Sequence, residues 1–123
     1  MESNRDLIKK YPWLKIEDNT GEINCTLLDL LPYGWRGLIL DMCAEIKDAL
    51  PKALFDKYQV VEAKEKWYTL RWYDCIDGFG NMPDKITDIV CRYEDKSREV
   101  CMICGNFKNK NEQLCSMCSE RYL

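Results

Sequence analysis

The sequence predicts an α+β fold: two amphipathic helices packed on a β-hairpin or small antiparallel sheet, followed by a C-terminal four-cysteine module of the knuckle or ribbon kind. Three observations point there. Stretches beginning near Trp35 and Pro83 place apolar residues at helical spacing, residues between them alternate as strands do, and two CxxC units lie near the C-terminus. A chain of 123 residues has room for one main core, and 46% hydrophobic with 32% charged side chains is the composition of a folded globular protein.

Ser3, with Asp6 three residues later, marks a helix start over Asp6, Leu7, Ile8 and Lys9, which Pro12 closes. Residues 17–34 carry turn formers (Asp18, Asn19, Gly21, Pro32, Gly34) around Leu27, Leu28, Leu30 and Leu31, and read as a loop-rich lead-in with one helical turn. From Trp35 onward, Leu38, Ile39, Met42, Cys43, Ile46 and Leu50 form one stripe of a helix that Pro51 ends. Residues 58–63 are β-branched and aromatic enough for a strand, and residues 70–75 are its partner, with Leu70 and Trp72 on one face and Arg71 and Tyr73 on the other. Residues 66–69 connect them without the Asn-Gly pair that favours a tight hairpin turn. After a loop at residues 77–81, Pro83 takes the first position of a second helix, with Asp84 near the positive end of its dipole. Ile86, Ile89, Val90, Tyr93 and Val100 share its apolar face, and Lys96 and Arg98 favour its C-terminal end.

Cys101, Cys104, Cys115 and Cys118 form two CxxC units separated by ten residues, with Gly105 suited to the left-handed turn that closes the first. Each unit aims two thiolates at one ion, and four sulfurs complete a tetrahedron. The expected cofactor is one structural Zn2+ per chain, with iron in a four-sulfur site as the minority alternative. So short and polar a segment buries too little to fold alone, so the ion supplies its folding free energy. Residues 1–100 are therefore read as the α+β core and residues 101–123 as a zinc-binding module packed on it rather than an independent domain. Cys25, Cys43, Cys75 and Cys91 do not share the spacing, and Cys43, on the apolar stripe, reads as a buried thiol.

Histidine is absent, which removes Ser-His and Cys-His catalysis, HExxH sites and His-containing zinc deaminase chemistry. Four thiolates leave no open coordination position for a catalytic zinc. Asp74, Asp77, Asp84 and Asp88 match no calcium loop. No enzyme is expected. The N-terminus lacks the apolar core of a secretory signal and no stretch is long enough to span a membrane, so the expected location is the cytoplasm.

The hairpin interleaves Lys64, Lys66 and Arg71 with Trp67, Tyr68, Trp72 and Tyr73, a mixture that suits either core packing or a binding surface. Trp67, beside the turn, is the aromatic least accounted for by the core. Trp67, Tyr68, Lys64, Lys66 and Arg71 are thus the candidate partner-binding residues. A net charge of −3 is not that of a nucleic-acid binder. The cysteine module carries a formal +1 that four thiolates and one divalent ion turn into −1, whereas a nucleic-acid ribbon presents a basic face.

The order of motifs resembles small zinc-binding proteins encoded in phages and prophages. Pro32-Tyr33-Gly34-Trp35 leads into the first long helix, a Lys-Glu-Lys-aromatic and Leu-Arg-aromatic-Tyr hairpin follows, and a helix feeds the CxxCG and CxxC pair. The likeness covers about residues 32–118, and the usual pattern has two glycines where Tyr68 and Thr69 stand here. What it implies is a phage-type accessory protein in a bacterial host cytoplasm. Such a protein acts by stoichiometric binding to a host protein, for example as an anti-CRISPR-like inhibitor of a defence system. A nucleic-acid-binding zinc-ribbon regulator is the alternative.

Overall fold

The computed structural model describes residues 3–16, 25–77 and 81–123. Residues 17–24 of the lead-in predicted over 17–34, and residues 78–80 of the loop predicted over 77–81, lie outside the described residues. Among the described residues, four α-helices and a two-stranded antiparallel sheet make the α+β fold: α1 (Asn4–Lys10), α2 (Arg36–Ala49), β1 (Tyr58–Lys66), β2 (Thr69–Ile76), α3 (Asp84–Ser97) and α4 (Ser116–Tyr122).

Helix α1 begins as its sequence asks, with the Ser3 hydroxyl accepting from the Asp6 N–H at 3.2 Å. A short 3-10 turn, Pro12–Leu14, then buries Trp13, whose ring meets Tyr11, Phe55 and Tyr58 at centroid distances of 5.6, 5.8 and 5.1 Å. Two further 3-10 turns, Leu27–Leu30 and Tyr33–Trp35, precede α2. The first is held by a capping box between Thr26 and Asp29. The helix predicted from Trp35 therefore starts one residue later, because the chain enters it through a 3-10 turn.

Helices α2 and α3 pack on each other, and α3 also packs on β2. Their buried residues are the stripes read from the sequence, Leu38, Ile39, Met42, Cys43 and Ile46 on α2 and Ile86, Ile89, Val90 and Tyr93 on α3. Val100 is the exception. Helix α3 ends at Ser97, the chain turns at residues 98–99, and Val100 pairs with Phe107 in an isolated antiparallel bridge. Pro83 lies just outside α3, where its carbonyl accepts from the Ile86 and Thr87 N–H groups.

Leu70 and Trp72 are buried while Arg71 is half-buried and Tyr73 exposed, so β2 faces the core as its alternation requires. Two strands make a marginal sheet on their own. Here α3 fastens the outer edge of β2: the Ser97 hydroxyl accepts from the Leu70 N–H and the Glu94 carboxylate from the Trp72 N–H, both at 2.8 Å. On the partner strand a bulge between Val60 and Glu62 leaves Val61 70% exposed. The connection is tighter than the four residues expected. Strand pairing continues to Lys66 and Thr69, and only Trp67 and Tyr68 turn the chain, at φ of 55° and 62°. Positive φ at both positions defines a type I′ hairpin turn, which matches strand twist and ordinarily takes Asn-Gly.

Candidate metal centre

The first CxxC hangs directly from the end of α3. The Cys101 N–H donates to the Asn106 carbonyl at 2.8 Å and the Gly105 N–H returns to the Cys101 carbonyl at 2.9 Å, a knuckle that Gly105 closes at φ 80°. The second CxxC uses a helix start instead: Cys115 is the N-cap of α4 and Cys118 lies in its first turn. The four sulfurs lie within 4.8 Å of one another. A zinc tetrahedron with sulfurs at about 2.3 Å has edges of about 3.8 Å, so small side-chain adjustments bring the set onto a single ion. Cys101, Cys115 and Cys118 are buried, Cys104 is exposed, and Leu114 and Met102 complete the cluster.

The thiols themselves call for a cation. Burial works against the Cys101 thiolate, but N–H groups of the two knuckles outweigh it and bring Cys101 down to about 6. Burial, together with the neighbouring sulfurs, pushes Cys118 up to about 12. Four anions this close cannot ionise together in the absence of a positive ion, and a bound divalent metal removes that conflict.

Two residues whose part in the site the sequence does not reveal fix the module in place. Lys108 is 2% exposed, and its ammonium donates to the carbonyls of Arg98 at 2.5 Å, Glu112 at 2.8 Å and Asn109 at 3.4 Å. Burial pulls its pKa below the usual lysine value, against the Cys101 thiolate, which favours the cation. The bond to Arg98 thus ties the loop between the CxxC units to the end of α3, and the other two close that loop on itself. Gly34 is the second. Its N–H donates to the Met102 carbonyl at 2.8 Å, and the neighbouring Trp35 indole donates to the Val100 carbonyl at 3.1 Å. A side chain at Gly34 would meet the Cys101 oxygen at 2.1 Å, so the glycine is what lets the knuckle lie on α2.

The other cysteines do not form a second centre among the described residues. Cys43 is buried, its sulfur accepts from the Trp13 indole at 3.3 Å, and burial pushes its thiol up to about 12. That is an inert packing thiol.

The candidate partner-binding residues divide. Trp67 is 78% exposed at the hairpin tip, beside half-buried Tyr68, whose N–H donates to the Glu65 carboxylate at 2.8 Å. Trp67 and Arg71 line one groove against α3, whereas Lys64 lies over the Tyr73 ring and pairs with Glu62 at 3.3 Å. Lys66 is exposed. No helix among the described residues is long and apolar enough to cross a membrane.

Fold and site together define an α+β protein with a four-cysteine centre positioned for one metal ion. The chain matches no protein-family model, no curated protein and no solved structure. None of these comparisons supports the expected likeness to phage-encoded zinc proteins.

Proposed function

We propose that this chain is a zinc-stabilised accessory protein that works by stoichiometric binding to a protein partner through the tip of its hairpin. Zinc is the resident ion and has a structural role. The observation that supports the contact surface is the turn itself. Left-handed backbone costs an ordinary residue about 1–2 kcal/mol, and Trp67 and Tyr68 both adopt it while the Trp67 ring stays 78% exposed. In the isolated chain that ring recovers little of the strain by burial, whereas a partner that covers it would. The setting that the motifs imply is a phage-encoded inhibitor of a host defence system, anti-CRISPR-like, that meets its target in the bacterial cytoplasm. The zinc-ribbon regulator is the weaker reading, because zinc leaves the module with a net negative charge.

The test replaces the turn by its relaxed equivalent, Trp67→Asn with Tyr68→Gly. The double variant should gain about 1–3 kcal/mol of stability as the strain is relieved. It should also lose the host protein that wild type captures. Capture that is unchanged in this better-folded variant would refute the contact surface, and elemental analysis other than one zinc per chain would refute the resident ion.

A further inference from the structure

A groove of about 470 Å3 runs between the hairpin tip and α3, with Trp67 and Arg71 on one side and Glu94 and Asp95 on the other. Arg98 and Lys110 close it. Arg71 is the cation of the groove that makes no ion pair, although Glu94 on the facing helix feels its charge. Its Nε is buried and unpaired, and none of the ion pairs among the described residues includes it. The nearby acids are already engaged, Glu94 by the Trp72 N–H and Asp95 by Arg98 and Lys110 at 3.9 and 4.0 Å.

We propose that this groove binds an acidic segment of the protein partner, with one carboxylate seated on the Arg71 guanidinium beside the Trp67 ring. The proposal deepens the reading of the hairpin tip as a contact surface and rests on it. A guanidinium presents a planar fork of donors that a carboxylate accepts two at a time. Arg98 and Lys110 add positive field, and the exposed Trp67 face supplies an apolar wall for the residue that carries the carboxylate. Arg98 pairs with Asp95 and Lys110 with Asp95 and Glu99, so Arg71 is the one cation of the groove with no carboxylate in ion-pair contact among the described residues, which suits a single incoming carboxylate. A phosphate backbone, with a charge at every nucleotide, would meet Glu94 and Asp95 as repulsion.

Cys91 is exposed in the same groove and reports its occupancy, while Cys25 is exposed and outside it. The experiment alkylates the zinc-loaded protein with iodoacetamide and reads both sites by mass spectrometry, with acetylated hexaglutamate peptide as the probe. Hexaglutamate should slow alkylation of Cys91 severalfold and saturably while that of Cys25 stays unchanged. Arg71→Met, which keeps the aliphatic stem, should abolish the protection, and Arg71→Lys should restore part of it. Absence of protection, or equal protection in Arg71→Met, overturns the proposal. Stronger protection by an oligothymidylate at physiological salt overturns it in favour of single-stranded nucleic acid. If the hairpin-turn variant keeps every partner, the contact surface itself falls. An unprotected Cys91 in a protein whose capture does depend on the turn removes only the acidic occupant.

Discussion

The seam between α2 and the first cysteine knuckle offers a test in which two glycines, three residues apart, should respond with opposite sign. At Gly34 an added methyl would stand 2.1 Å from the Cys101 oxygen and 2.6 Å from the Met102 carbonyl carbon, both backbone atoms that cannot swing aside. Gly34→Ala must therefore push the knuckle away and lose two hydrogen bonds, Gly34 N–H to Met102 at 2.8 Å and the Trp35 indole to Val100 at 3.1 Å. At about 0.5–1.5 kcal/mol each these account for about 1–3 kcal/mol. Trp35, fully buried in the same seam, loses packing as well, for a total of about 2–4 kcal/mol. Gly37 sits in α2, exposed, with nothing among the described residues within 4 Å of the same added methyl. Gly37→Ala should stabilise by about 0.5–1 kcal/mol, the ordinary helix preference for alanine. Urea unfolding of the zinc-loaded variants at fixed free zinc reads both effects without mixing in metal occupancy. A Gly34→Ala protein within about 0.5 kcal/mol of wild type would show that the knuckle does not need this close approach.

Three further outcomes follow from the same contacts. Cys101→Ser should leave the four-cysteine site without its full set of thiolates and selectively disorder residues 101–123, seen as loss of amide exchange protection there while α2 and α3 keep theirs. Lys108→Met exchanges the charge-assisted bonds to Arg98 and Glu112 for a relieved desolvation cost, and should destabilise by about 2–4 kcal/mol in thermal or urea unfolding; a neutral result would mean that those carbonyls find water instead. On the outer surface the Arg92 guanidinium, bonded to both oxygens of Glu45, together with the Tyr93 hydroxyl, holds the Glu45 carboxyl below the usual carboxylate range. The stability this adds is present above the unfolded-state pKa and is lost as pH falls through the lower folded-state value. The gap in Tm between wild type and Glu45→Gln should accordingly close on acidification, and a constant gap from neutral to strongly acidic pH would refute the linkage.

The parts of the fold that were legible in the sequence are those where one physical demand acts on many residues together. The α2 and α3 stripes were readable because burial repeats at the helical period, and the four cysteines because one ion constrains all their spacings. Val100 was misassigned because helical spacing continued through residues 98–99, where hydrogen bonds and not hydrophobicity end the helix. The Trp67-Tyr68 turn was hidden for the opposite reason: neither residue favours positive φ, so turn chemistry argued against the conformation that strand register imposes. Lys108 gave no signal. A lysine in a polar spacer reads as solvated, and only the folded chain brings the Arg98 and Glu112 carbonyls to it.

The same contacts define how far the influence of the metal reaches. The hairpin is fastened to α3 through Ser97 and Glu94, before the helix ends, whereas the knuckle hangs from Val100 onward and grips the 3-10 turn that leads into α2 through Gly34 and Trp35. Loss of the ion is therefore felt first at the seam with α2, and the anchors of the hairpin lie on the far side of the turn at residues 98–99. Lys108 crosses that turn, because its ammonium holds the Arg98 carbonyl while its own N–H donates to the Glu99 carbonyl at 3.0 Å. The metal centre would thus stiffen the end of α3 and reach the groove beside Trp67 only through Arg98 and Lys110. A metal-free chain should keep its hairpin geometry but lose the order of Arg98 and Lys110 at one end of the groove.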